Sequence, residues 1–376
     1  MARVAVEKNI AFDDVRKIYY VNFDYGKGED GKRIKKQKTF KTVKEAKKAL
    51  TAFTNDKNNQ NIVRPTGILL KAYLEYWLND IKGIRCEETT LSAYRNIVNN
   101  HIIPEIGELA LQKITPSVIN KYMRAMTEKG LSDNTIRKHY VLLKDCLKYA
   151  VHEEKLLKNP LDKVEQLKAT RTERDYYTPE QLEKLFELVK GDKIEIVVRL
   201  ASLAGLRREE ISALKWKNVD FEKKEIRVVE ARTQAGGMVV EKATKNASSR
   251  RSLHISDSLL ELLKKIKQEQ AENKKFLGNT YIDNDFVICK VDGTPHKPNY
   301  WSDLLLKIVK DNQLDHITLH GLRHTFTSIA NDEGVTMFSI SKALGHSNLS
   351  TTSKIYTHLF DVTHKDAITK VAEVFE

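Results

Sequence analysis

At 376 residues with 41% hydrophobic content, the chain is long enough for about two to four separately cored domains. A net charge of +13 and a pI near 9.3 point to a polyanionic partner, nucleic acid ahead of a membrane surface. No run approaches the ~20 apolar residues of a spanning helix, no signal-peptide pattern opens the chain, and Cys86, Cys146 and Cys289 are scattered. These features argue against a membrane-spanning helix and a cysteine-held metal framework, and they favour free thiols in a reducing cytoplasm.

Residues 1–60 read as a small basic unit: through residue 64 there are sixteen Lys or Arg against eight Asp or Glu. Ile18, Tyr20 and Phe23 predict a strand, Tyr25 to Gly31 a turn, and Ile34 to Phe40 a returning strand. Thr42-Val43-Lys44-Glu45 is a capping box, followed by the helical stripe Ala46, Ala49, Leu50 and Phe53. Lys32, Arg33, Lys35, Lys36 and Lys38 make the strands a candidate DNA-binding surface, although a solvated basic face has the same composition.

Thr54 to Thr66 is polar, with four Asn and a Pro, and reads as a linker. From Gly67 to about Leu161 the periodicity is helical throughout. Its stripes run Leu69 to Trp77, Leu91 to Val98, Ile119 to Met123 behind the Thr115-Pro116 cap, and Ile136 to Ala150. Tyr94, Arg95, Arg137 and Lys138 are candidate DNA contacts on this bundle, with solvent-facing charge the plainer reading. Lys163 to Asp175 is a second charged linker, and a hinge there would let two domains close around a duplex.

Thr178-Pro179-Glu180-Gln181 opens a capped helix, and the apolar helix Ile194 to Ala204 follows. Residues 204–220 read A-G-L-R-R-E-E-I-S-A-L-K-W-K-N-V-D. Phe221 to Ile255 is strand-rich, with a Gly236-Gly237 turn, alternating Ile226 and Val228, and alternating Leu253 and Ile255. Its last turn is T-K-N-A-S-S-R-R, residues 244–251, and Ser256 to Lys275 is again helical.

Residues 318–358 hold three polar clusters in an apolar, helix-like run: His320 with Arg323, His346 in L-G-H-S-N, and Tyr356 in Y-T-H. His320 and Arg323 are three apart and share a helix face. Gly334 and Gly345 end successive helices. An arginine fork beside imidazoles suits a phosphate oxyanion, and a nearby phenol can act as nucleophile. His320 and His324 have the i, i+4 spacing of a zinc helix, but Gly321 stands where the general-base Glu would be, and the ligand set is incomplete.

As an ordered set these residues resemble the tyrosine recombinase (phage integrase) family, whose hallmarks are H-x-x-R, G-H/W and a tyrosine about ten residues on. Here they are His320-x-x-Arg323, Gly345-His346 and Tyr356. By the same match Arg207 is the first catalytic arginine and Glu210 the acidic buttress, with Glu209 replacing the usual Gly. Lys245 is the hairpin lysine, with Lys242 as the alternative, since Asn246 and Ala247 depart from the family's T-K. Arg250 and Arg251 close that hairpin as further DNA contacts.

The resemblance implies a multidomain, mainly α protein. Residues 1–60 would be a small β-sheet-plus-helix arm-binding domain, and 65–162 a helical SAM-like core-binding domain. Residues 175–376 would be a mixed α+β catalytic domain whose tail, with Ala367, Ile368, Val371 and Phe375 at helical spacing, docks on a neighbour. It implies an integrase of a prophage or integrative conjugative element, using no metal or other cofactor. The enzyme would act as a homotetramer on core-type and arm-type double-stranded DNA through a 3′-phosphotyrosine and a Holliday junction. A DNA-bending protein and an excisionase are candidate accessory partners. The alternatives are a non-catalytic DNA-binding regulator and a type IB topoisomerase-like enzyme; the first does not need the complete site, and the second does not need an arm domain.

Overall fold

The computed structural model describes residues 3–28, 31–59, 61–168, 176–243 and 250–345, which fall into two compact units, residues 1–171 and 172–376. The first unit contains two separate hydrophobic cores.

Its sheet is four-stranded and antiparallel, in the order β1 (Val4–Glu7), β2 (Ile10–Asp13), β3 (Ile18–Lys27), β4 (Arg33–Phe40). The sequence reading predicts only the β3–β4 pair. The first hairpin is formed by short strands with exposed Val4 and Val6, and it turns through Asn9 at φ 70°, a left-handed conformation that asparagine tolerates. α1 (Val43–Asn58) starts at the expected capping box on Thr42 and Glu45. It covers one sheet face, where Ile10, Val21, Phe23 and Ala46 are buried and Phe53 packs edge-on to Phe23 at 5.0 Å.

The second core is all helical: α2 (Leu70–Tyr76), α3 (Glu88–Ile97), α4 (Ile103–Ile106), α5 (Pro116–Glu128) and α6 (Asp133–His152). The Thr115-Pro116 start of α5 is as read, with the Thr115 hydroxyl accepting from the Val118 N–H. Two features are not visible as periodicity: α2 continues as π-helix over Trp77–Lys82, and α3 joins α4 through a π-helical stretch, Val98–Ile102. Leu74, Trp77, Val98 and Ile102 stay fully buried through these changes of pitch.

The second unit is built on α8 (Glu195–Leu203), which is buried on nearly every side. Around it lie α7 (Pro179–Val189), short α9 (Arg208–Ile211), a three-stranded sheet and a separate hairpin. The sheet order is β5 (Val219–Asp220), β6 (Glu225–Val228), β9 (Arg251–His254); the hairpin is β7 (Glu230–Ala235) with β8 (Met238–Ala243). α10 (Asp257–Leu277), α11 (Pro298–Asp311), α12 (Leu319–Asp332) and α13 (Met337–Leu344) complete it. α12 packs directly on α8, and the Tyr177 N–H donates to Thr325 Oγ1 of α12 at 3.0 Å. The loop after α8 turns at Gly205, φ 62°, where an added Cβ would sit 2.8 Å from Leu344 Cδ2 and 2.9 Å from Phe326 Cδ1. Glycine is required there both by the backbone conformation and by the closeness of α12 and α13.

Candidate active site

Four elements of the second unit converge on one carboxylate. Arg207 ends the Gly205 loop, and Glu210 follows on the first turn of α9. The Arg207 N–H donates to Glu210 Oε2 at 2.8 Å, and Arg207 Nη1 donates to Oε1 at 2.8 Å, so the local helix start itself brings the pair together. Arg251, the first residue of β9, donates through Nη1 to Oε1 (3.0 Å) and through Nη2 to Oε2 (2.9 Å). Arg323, on α12, lies 3.9 Å from Oε2. The two arginines singled out from the H-x-x-R and G-L-R motifs therefore meet across Glu210, although they are far apart in the chain.

Arg323 is held more tightly than a surface arginine. It is 2% exposed, and its guanidinium donates to the backbone carbonyls of Gly205 and, at 2.8 Å, Leu344. The side chain of Arg207 retains about a third of its exposure and opens to solvent. His320 lies one turn before Arg323 on the exposed side of α12, its ring edge-to-face with buried His324 at 4.6 Å. α13 ends as expected at Gly345, in the left-handed conformation at φ 66°. Lys245, His346 and Tyr356 lie outside the described residues, as does the apolar tail after Asp361. Lys242 is half-buried on β8.

Burial alone would raise the Glu210 carboxyl, but the hydrogen bonds and charge of Arg251, with those of Arg207, override it and hold the group down to about 2. A depressed carboxyl adds stability that is fully present above its unfolded value and is lost as pH falls through the folded one. The full chain should therefore lose on the order of 3 kcal/mol between pH 4.5 and 2 from this group. Urea midpoints measured across that window check it: the Glu210→Gln slope should be visibly flatter than that of the parent.

Arg251 corrects an expectation. Read from the sequence as a DNA contact, it is buried, with its side chain 6% exposed, because β9 alternates and points Arg251 and Leu253 inward. Arg250 is exposed. On the bundle, Arg95 pairs with Glu88 at 2.8 Å and Tyr94 stacks on Trp77 at 6.4 Å. Arg137 is half-buried and Lys138 exposed. In the sheet, Lys32, Arg33, Lys35, Lys36 and Lys38 are all exposed, but they do not share a face. Lys36 and Lys38 sit opposite Phe23 and Val21 on the α1 side, while Lys35 is opposite Asp24 on the other. That open face also carries a connected row that the sequence reading missed. Gln37 donates to Asn22 Oδ1 (2.9 Å), Arg3 donates to Gln37 (3.3 Å), and the Arg3 guanidinium lies 3.7 Å over the Tyr20 ring. The signal was the period-2 alternation of β3, in which Tyr20 and Asn22 interleave with Val21 and Phe23.

Among the described residues no three His, Cys, Asp or Glu side chains are grouped to hold a metal ion, and no helix is long and apolar enough to cross a membrane. Cys86, Cys146 and Cys289 are free thiols.

Comparison with known proteins agrees with this architecture. The phage integrase family profile matches residues 175–362, a SAM-like phage integrase N-terminal domain matches 69–126, and an arm DNA-binding domain matches 10–57. The ICEBs1 integrase of Bacillus subtilis is 31% identical over 280 residues, covering 74% of this chain and 76% of the relative. A XerC-like tyrosine recombinase of Caldanaerobacter subterraneus is 27% identical over 385 residues, covering 96% of this chain and 97% of the relative. Among solved structures, the Tn1549 transposon integrase in complex with transposon right end DNA superposes with TM-score 0.67 at 22% identity, over 81% of this chain and all of that one. A lambda integrase tetramer bound to a Holliday junction gives 0.61 at 15% identity, over 94% and 96%.

Proposed function

Because the chain belongs to the phage integrase family of tyrosine recombinases, enzymes that cleave DNA and transfer its strands, we propose that it integrates and excises a mobile element through a covalent 3′-phosphotyrosine. The observation that supports this most is the meeting of Arg207 and Arg323 on Glu210, which concentrates two permanently charged forks where a phosphodiester's nonbridging oxygens would lie. The Tyr356 oxygen attacks phosphorus in line, the P–O5′ bond breaks, and the departing 5′-oxygen takes a proton from Lys245. His320 accepts the phenol proton, and His346 hydrogen-bonds the same phosphate. The phosphotyrosine keeps the bond energy, so a 5′-hydroxyl from a second duplex reverses the step and exchanges strands. Four protomers acting in pairs on two duplexes would pass through a Holliday junction. The open sheet face of the first 60 residues would engage arm-type DNA, and the helical bundle core-type DNA. A bending protein and an excisionase fit as accessory partners, and the cytoplasm as the compartment.

The test is a nicked duplex carrying a core-type site, which loses its religation partner on cleavage and traps the enzyme. Full chain in excess EDTA should accumulate a protein–DNA adduct stable to denaturation. If EDTA abolishes the adduct and one divalent metal restores it, the proposed chemistry is wrong; if no adduct forms under any condition, the regulator reading replaces it.

Lys245 has its own signature. An alkoxide leaves poorly without a proton, so Lys245→Ala should cleave about 100-fold more slowly or worse. Sulfur at the bridging 5′-position leaves as a thiolate without protonation and should restore most of that rate. Rescue of Lys242→Ala in place of Lys245→Ala would move the assignment by three residues.

A further inference from the structure

We propose that Arg251 is a positioning residue of the strand-transfer reaction, holding Glu210 so that Glu210 can hold Arg207, and fastening the end of α13 to the same point. The inference rests on the reading above that Arg207 faces the scissile phosphate. An ionised carboxylate has about four acceptor sites. In Glu210 all four are used, two by the Arg207 N–H and Nη1, and two by Nη1 and Nη2 of Arg251. Arg251 supplies half of that shell, and it approaches from outside the Arg207 loop. The bidentate fork fixes the carboxylate plane, which in turn fixes the direction of the Arg207 guanidinium.

The third contact of Arg251 extends its reach. Nε donates to the Ala343 carbonyl at 2.6 Å in the last turn of α13, next to the Leu344 carbonyl that Arg323 holds. Two buried arginines thus clamp adjacent carbonyls of one helix end, and the chain leads directly from there to Gly345 and His346. In the other direction Arg251 opens β9 immediately after the 244–250 segment that carries Lys245. One guanidinium therefore references three stretches of catalytic sequence to a common carboxylate. A purely stabilising role does not call for this chemistry, because apolar side chains of similar volume often replace a buried ion pair at no loss of stability. The arrangement is instead that of a part whose value is orientation.

The experiment compares single-turnover cleavage by the full chain on two nicked duplexes. One carries the ordinary scissile phosphate, and the other a methylphosphonate there, which removes the charge that Arg207 would neutralise. On phosphate, Arg251→Gln should bind DNA with unchanged affinity but cleave about 10- to 100-fold more slowly, the scale expected when a catalytic group is displaced by about an ångström. On methylphosphonate that penalty should shrink in step with the penalty of Arg207→Ala, and the double variant should be no slower than Arg207→Ala alone. Rates are normalised to DNA-binding-competent protein. If Arg251→Gln does not fold, Arg251→Lys, which keeps the charge but not the fork, should show the same substrate dependence with a smaller loss. An unchanged rate on phosphate, or an equal loss on both substrates, overturns the role of Arg251. A normal rate for Arg207→Ala on phosphate would instead overturn the underlying reading of the site.

Discussion

Tyr356→Phe is expected to bind its DNA site as tightly as the parent and to form no detectable covalent adduct. Phenylalanine keeps the ring and removes only the oxygen, so packing and DNA contacts should persist while the nucleophile is gone. The loss should be close to complete, and two other phenols of the second unit, Tyr177 and Tyr281, are poor substitutes. Burial, reinforced by Asp315, pushes Tyr177 up to about 12, and its hydroxyl is committed to the Asp315 carbonyl. Burial, with Cys289 beside it, likewise pushes Tyr281 up to about 12. A phenol held in its neutral form offers little attacking oxygen at neutral pH, the more so where, as at Tyr177, it already donates a hydrogen bond. Denaturing gels of nicked-substrate reactions, beside mobility-shift titrations, give both readings; an adduct from Tyr356→Phe would place the nucleophile elsewhere.

Arg323→Ala should be nearly as severe, and for two separable reasons. Removing one charged donor from a phosphoryl-transfer site costs about 10²- to 10³-fold in rate. Here the same change also strips the Gly205 and Leu344 carbonyls of their buried donor, which should destabilise the second unit by about 2–4 kcal/mol. Arg323→Lys keeps a charge but presents a point rather than a fork, so it should recover part of the rate and little of the stability. Thermal unfolding together with single-turnover cleavage distinguishes the two contributions. A variant that unfolds normally yet has lost cleavage would show that the carbonyl contacts are incidental.

Much of this was legible in the sequence because the signals were local. The Thr42–Glu45 and Thr178–Gln181 boxes, the Thr115-Pro116 start and the Gly345 stop depend on a few neighbouring residues, and each appears where read. Glu210 was also accessible, since its bond to the Arg207 N–H is made within one helical turn. Arg251 was misread because a dibasic pair looks like surface charge until strand phase is considered. Leu253 and Ile255 were already read as alternating, and a step of two back from buried Leu253 along β9 reaches Arg251, not Arg250. What buries it is a carboxylate on another element, and that partnership leaves no spacing to detect. The β1–β2 hairpin escaped for a different reason. Strands of four residues with exposed valines show too little alternation, and only Asn9 marks the turn.

The two π-helical stretches determine where the helical bundle can change length. A π turn closes its hydrogen-bonded ring one residue later than an α turn. Trp77–Lys82 thus stores an extra residue at the end of its helix, just before Gly83, and Val98–Ile102 stores one between buried Leu91 and buried Ile106. Losing one residue inside such a window lets the backbone relax to ordinary α pitch, with its flanks still facing the core. Losing one from the α-helical part of α3 instead rotates everything downstream by about 100°, carrying Val98, Ile102 and Ile106 off the buried side. Among relatives, single-residue gaps in this bundle should therefore collect in those two windows, and a designer wishing to shorten it should cut there.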